Sequence, residues 1–242
     1  MPISMPRRSS ARVPVRPIGN LNKPVLAALL SFNGGFLDTA GFLGLQGLFT
    51  AHVTGNFVTL GAALVFGTHG VIGKVLALPE FIAVVALARI AGAAMTARDM
   101  PTMRILLSVK VLFLAAFFVL GVTLGPFPDS DVPAALLTGF TGIAAMAIQN
   151  AVQRVHFASV PPTTLMTGNT TQATLDAIDL LRGLKGDKAD AVRARFSAIM
   201  RGIFFFAAGC AVAAILYARF GFWCLALPVV VGAASAVVRI ED

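Results

Sequence analysis

The chain has 242 residues, of which 57% are hydrophobic and 12% charged, and carries a formal net charge of +8. A soluble domain has about 25% charged residues, so this chain lacks the polar surface to cover a water-facing globule; its apolar residues come in runs reaching the roughly 20 residues of a bilayer crossing. The basic residues sit in an N-terminal arm and in short connections, with no aromatic-interleaved patch, which argues against nucleic acid and for a topology signal.

In chain order, residues 1–23 are basic and proline-rich and are expected to be a disordered arm. The apolar run that follows is long, contains Asp38 and lacks a small-residue cleavage site, so it reads as a first membrane helix instead of a signal peptide. Eight apolar or semi-apolar segments can be drawn, at 24–47, 52–67, 71–96, 101–124, 132–155, 163–183, 194–218 and 221–239. Two are unusual. The segment 52–67 is short and glycine-interrupted, and 163–183 carries Asn169, Gln172, Asp176 and Asp179. Cys210 and Cys224 lie inside apolar runs, with no Cys/His cluster, so no metal, cofactor or disulfide framework is expected.

The two unusual segments open alike, with "HVTGNFVTLGAAL" at 52–64 and "LMTGNTTQATLDAI" at 165–178. Gly55 and Gly168 lie 113 positions apart, near half the chain, and "AGAAM" at 91–95 matches "AGCAV" at 208–212. These matches predict one membrane domain over 24–240, built from repeats at 24–125 and 132–240. If all eight segments cross, the repeats are parallel. If 52–67 and 163–183 only dip in, six spans remain and the second repeat is inverted. Six spans with the N-terminus inside place 14 Lys and Arg inside against 2 outside, whereas eight spans place 12 against 4. The expected fold is therefore all-α and polytopic, with about six spans, two short re-entrant or broken helices and a two-fold inverted repeat.

In such repeats a binding site forms where half-helix tips meet near the midplane. Thr54 and Thr167 are suited to N-capping, Gly55 and Gly168 let a ligand reach the backbone, and Asn56 and Asn169 add a donor and an acceptor each. Two helix N-termini favour a small anionic solute. Asp38 is an acid at membrane depth, with Gly34 and Gly41 on its face; it reads either as a proton-coupling group or as a structural acceptor for a helix cap. Gln149, Asn150 and Gln153 are amides at depth, fit for a ligand or for holding helices together. Asp176 and Asp179 read as surface groups beside the basic loop. Lys110 reads as snorkelling, while Arg89 and Arg201 read as partners for Asp38 or for a substrate. His52, next to the first triplet, could shuttle protons. No metalloprotease, nucleophile-elbow, Walker or Rossmann pattern occurs, so an enzyme is not expected.

The stretches "GGFLDTAGFLGLQGLFTAHVTGNFVTLGAAL" (34–64) and "AMAIQNAVQRVHFASVPPTTLMTGNTTQATLDA" (145–177) resemble the YoaK-type family of bacterial inner-membrane proteins, a domain of unknown function. The likeness covers roughly residues 24–238, and its motifs fall on Gly35, Asp38, Thr54, Gly55, Asn56, Gln149, Asn150, Thr167 and Gly168. It implies a multi-pass inner-membrane protein of about six helices without an agreed activity.

Together these readings predict a small secondary transporter in the bacterial inner membrane with a cytoplasmic N-terminus. Thr54, Gly55, Asn56, Gln149, Asn150, Thr167, Gly168 and Asn169 would surround the solute, and Asp38 would be the coupling acid. The lipid bilayer is the expected partner, and the chain's size suggests a homodimer. The alternative is a non-transporting scaffold whose triplets close polar helix ends against each other.

Overall fold

The computed structural model describes residues 22–237, so the expected arm lies outside the described residues except for Asn22 and Lys23, which already belong to the first helix. Among the described residues there are eight α-helices, one short 3-10 helix and no strand. They are α1 (Asn22–Gly44), α2 (Gly55–Phe66), α3 (Val71–Thr96), α4 (Thr102–Leu124), α5 (Pro133–His156), α6 (Met166–Leu181), α7 (Asp187–Phe220), a 3-10 turn (Gly221–Leu225) and α8 (Ala226–Val237). Breakers in the sequence set the ends. Pro133 opens α5, where its missing N–H costs nothing. Gly67 closes α2 at φ 63°, donating back to the carbonyl of Ala63. The seventh segment begins earlier than expected: α7 starts at Asp187, because Asp187 and Asp190 sit favourably in its first turn.

Five helical stretches are long and apolar enough to cross a membrane, and the fold is that of a polytopic helical membrane protein. The fifth stretch, Asp187–Val237, turns back at Gly221, whose φ is 54°. Contacts between small residues fix the direction of each leg. α1 and α7 run side by side in the same sense, with Gly202 beside Ser31 and Gly44 beside the Tyr217 hydroxyl. Between those points a Cβ on Gly35 would fall on the carbonyl of Phe206, and one on Gly209 on the carbonyl of Phe32. α4 runs against α5, Phe117 meeting Gly142 and Lys110 meeting Gln149. α3 runs with α5, as Gly73 meets Leu136 near one end and Gly92 shares a crevice with Ala151 and Val155 near the other. α8 runs against α4, from Phe222 at Gly121 to Gly232 at Leu114. Lipid tails are as apolar as these side chains, so close approach at glycines and interhelical hydrogen bonds hold the bundle together.

Six legs thus join two ends of the bundle. At the end where α1 finishes, Phe222 sits among Gly44, Gly121 and Gly125, edge-on to Phe117, Phe127 and Tyr217. At the same end Asp131, in the α4–α5 connection, accepts from the amides of Gly70, Val71 and Ile72 and so caps α3. The connections before α3 and before α5 therefore lie together. α2 and α6 do not cross. α2 packs on α3 and returns the chain to the end it left, since Lys74, at the start of α3, donates to the carbonyl of Gln46 just beyond α1; α6 packs on α7. Each unusual segment enters and leaves by one end, the first where α1 finishes and the second where α5 finishes.

A cysteine at Thr68 and one at Gly186, both exposed connections, are expected to label from opposite sides of sealed vesicles with an impermeant maleimide, in a background lacking Cys210 and Cys224. Labelling from one side alone would mean that α2 and α6 cross.

Candidate functional site

The first interrupted segment turns back into the bundle after α1, through Gln46 at φ 51° and Gly47 at φ 86°. It then runs along α1, with the Leu48 carbonyl and the Thr50 side chain closing on Gly41. Non-helical backbone at this depth needs partners for its amides. Asp38 supplies them: its carboxylate accepts from the Ala51 amide at 2.6 Å and from the His52 amide at 3.1 Å. Of the two roles open to Asp38, the geometry shows the structural acceptor. From His52 onward three short turns, Gly55 to His52, Asn56 to Val53 and Phe57 to Thr54, lead into α2.

The second segment enters from the opposite end after His156. Gln153 is buried and its amide group donates to the carbonyls of Phe157 and Val160. Higher up, the Thr163 hydroxyl accepts from Gln149 and the Thr164 hydroxyl donates to Asn150. The Thr163 carbonyl closes on Gly34, where a Cβ would stand 2.9 Å from it. The glycines flanking Asp38 admit backbone, as expected, and each admits a different segment. One face of α1 receives the first segment at Asp38 and Gly41 and the second at Gly34.

The asparagines of both triplets tie down loop backbone, and Thr167, Gly168 and Asn169 of the second also line a cavity. Asn56 is 1% exposed and ties its own loop, donating to the Phe49 carbonyl and accepting from the Phe49 amide. Asn169 does the same one-sidedly, donating to the Pro162 carbonyl; a proline has no amide to return. Neither threonine caps as expected. Thr54 precedes α2 but makes no side-chain cap bond, and Thr167 lies inside the first turn of α6, after Leu165. The expectation of free amides at both helix starts also fails at the first, where the short turns bond them. At α6 the amides of Met166, Thr167 and Gly168 find no acceptor among the described residues.

A cavity of about 880 Å³ lies at that second tip. Its wall includes Arg154 at the end of α5, Ser159, Thr167, Gly168, Gln172 and, from α7, Arg195. His52 of the first segment reaches into the same cavity, so the two segments do meet, although Thr54, Gly55 and Asn56 are not part of its lining. Arg195 is paired: Asp176 accepts from its Nε at 2.9 Å and from a terminal nitrogen at 2.5 Å, and Gln172 donates to the same carboxylate. Asp176 is thus covered between α6 and α7 by the half-exposed Arg195, whose guanidinium holds its carboxyl below the ordinary carboxylate range, and Asp179 is exposed, as the surface reading expects. Arg154 has no ion-pair partner among the described residues. The cavity thus presents a free guanidinium, three unbonded amides and a glycine around which a Cβ would meet open space.

Two further expectations are corrected. Lys110 does not snorkel; it is fully buried and donates to Gln149 at 2.6 Å, and Gln149 passes this on to the Leu30 carbonyl. Gln149 and Asn150, which bonds Thr164 and the Met146 carbonyl, hold helices and loop together. Arg89 and Arg201 are exposed and form no ion pair among the described residues. Sequence reasoning also passed over Glu80, an acid in the middle of α3, although the rule that picked out Asp38 applies to it equally.

Asp38→Ala would leave the buried Ala51 amide and the partly buried His52 amide without an acceptor. At about 1–3 kcal/mol for each of the two lost partners, it is expected to destabilise the protein by about 2–6 kcal/mol in reversible unfolding in detergent. A loss under 1 kcal/mol would show that the loop does not depend on this acid.

Residues 26–238 match a family described as a protein of unknown function (DUF1275). No curated protein and no solved structure matches the chain. The match covers every membrane helix and both interrupted segments except the first residues of α1, and the chain belongs to the DUF1275 family.

Proposed function

We propose that this protein is a small permease whose solute site is the cavity at the start of α6. The observation that carries the reading is the composition of that cavity. Elements of both interrupted segments wall a space large enough for a metabolite, and its charged side chains and free backbone groups are donors: Arg154, the Arg195 edge and the first-turn amides of α6, beside the neutral Ser159, Asn169 and Gln172. A helix N-terminus beside a guanidinium favours a small carboxylate or phosphate. Binding and passage are the roles this reading assigns to these groups.

The permease reading includes an inverted internal duplication, and the packing supports it. α1 lies on α7 as α3 lies on α5, α2 on α3 as α6 on α7, and α4 on α5 as α8 on α1. The Asn56–Phe49 and Asn169–Pro162 bonds each span seven residues, and shifting one by 113 positions gives the other. Transport would then be a rocking of the halves that moves the His52 tip relative to the start of α6. Arg154 at the end of α5 and Arg195 early in α7 place the cavity towards the end of the bundle that carries Arg98, Arg104, Arg182 and Lys185. In a bacterial inner membrane, as the family resemblance suggests, this end and the N-terminus would face the cytoplasm.

The scaffold reading draws on the first tip, whose amides are bonded within the loop and whose Gly55 sits against the Phe49 ring. A thermal-shift screen of small carboxylates and phosphates on the detergent-purified protein separates the two. A ligand at a hundred times its Kd adds about 2.7 kcal/mol to the folded state. At least one anion is expected to raise the melting midpoint and to enter proteoliposomes. Arg154→Ala and Gly168→Val should abolish the shift while leaving the ligand-free midpoint unchanged, since neither side chain packs in the core. No shift with any anion and no uptake would leave the scaffold.

A further inference from the structure

We infer that Glu80 is a membrane-embedded proton-binding site. It is the tenth residue of α3, about 13 Å along the helix from its start, which puts the carboxyl in the middle of a hydrocarbon core about 30 Å thick. Its Oε2 is sealed from solvent and has no hydrogen-bond partner. No ion pair among the described residues includes it. The elements packed against α3 are α2, α4 and α5. α2 has no ionisable side chain, and α4 carries Arg104 near its start and Lys110, whose amine is spent on Gln149. α5 carries Arg154 and His156, both in its last turn, far from the level of Glu80. On α3 itself, Lys74 is engaged by the carbonyls of Gln46 and Gly70, and Arg89 is exposed.

A carboxylate in that setting has neither a counter-charge nor a donor, and leaving it ionised costs several kcal/mol or more. Taking up one proton removes the charge and creates an O–H donor. The preceding residue supplies a use for that donor. Pro79 lies inside α3, so the carbonyl of Val75, five residues before Glu80, loses its helical N–H. Asp38 has no such need, because backbone amides occupy its carboxylate. The coupling role first expected of Asp38 therefore moves to Glu80. That coupling role rests on the permease reading; the proton site does not.

Dicyclohexylcarbodiimide tests this on the full-length protein in lipid nanodiscs. A protonated carboxyl in an apolar setting adds across its C=N bond, and the resulting O-acylisourea rearranges to a stable N-acylurea that peptide mass spectrometry locates. The expected result is an adduct on Glu80, absent in Glu80→Gln, absent from Asp38, and formed more slowly as the buffer is made alkaline. No adduct on Glu80, or one whose rate ignores pH, overturns the inference. An adduct on Glu80 in a protein that binds and moves no anion would keep the proton site and remove only its coupling role.

Discussion

A polypeptide that leaves its helix inside a bilayer must find partners for every amide and carbonyl it exposes there, and this requirement governs the whole molecule. Asp38 meets it for the first interrupted segment by taking the amides of Ala51 and His52. Gln153 and Asn169 meet it for the second at the carbonyls of Phe157, Val160 and Pro162, while Gln149 and Asn150 hold the same loop by the Thr163 and Thr164 hydroxyls. The polar residues inside the apolar runs are mostly there to satisfy irregular backbone. Gly34 and Gly41 are needed for the same reason, since any larger residue would keep the returning chain out of bonding distance.

The two segments solve this problem unequally, and the inequality locates the cavity. The first loop is closed on itself: Asn56 binds both polar groups of Phe49, and successive short turns use up the amides before α2. In the second, Pro162 stands where Phe49 stands in the first, and α6 begins without those turns. Its first amides are left facing a space lined by Arg154 and the Arg195–Asp176 pair. Under the proposed duplication and the permease reading, one copy serves as a plug and the other as a binding wall. His52, carried on the plug, links the two.

Much of this was legible in the sequence. The apolar runs, the two short segments and the Lys and Arg balance led to a helical membrane protein with re-entrant pieces, and the glycines around Asp38 pointed to close approach. What composition could not show was where each polar side chain spends its hydrogen bonds. Thr54 and Asn56 look like a ligand-binding tip until the path of residues 45–54 is known, because a loop that folds back on itself is a partner the sequence does not display. Lys110 was misread for a similar reason. Its partner Gln149 is 39 positions away, on a neighbouring helix whose rotation no single segment reveals. The α6 cavity depends on α5, α6 and α7 diverging, which is a property of packing and has no local signature.

The claim on which the rest turns is that both interrupted segments reach hydrocarbon depth from opposite ends of the bundle. Nitroxide labels at Thr54 and at Thr167 in nanodiscs, read by power saturation with oxygen and with a water-soluble nickel chelate, measure that depth directly. Both labels should report positions well inside the hydrocarbon region, with Thr167 the more accessible to the water-soluble reagent because it borders the cavity. A headgroup or aqueous depth at either position would contradict the account.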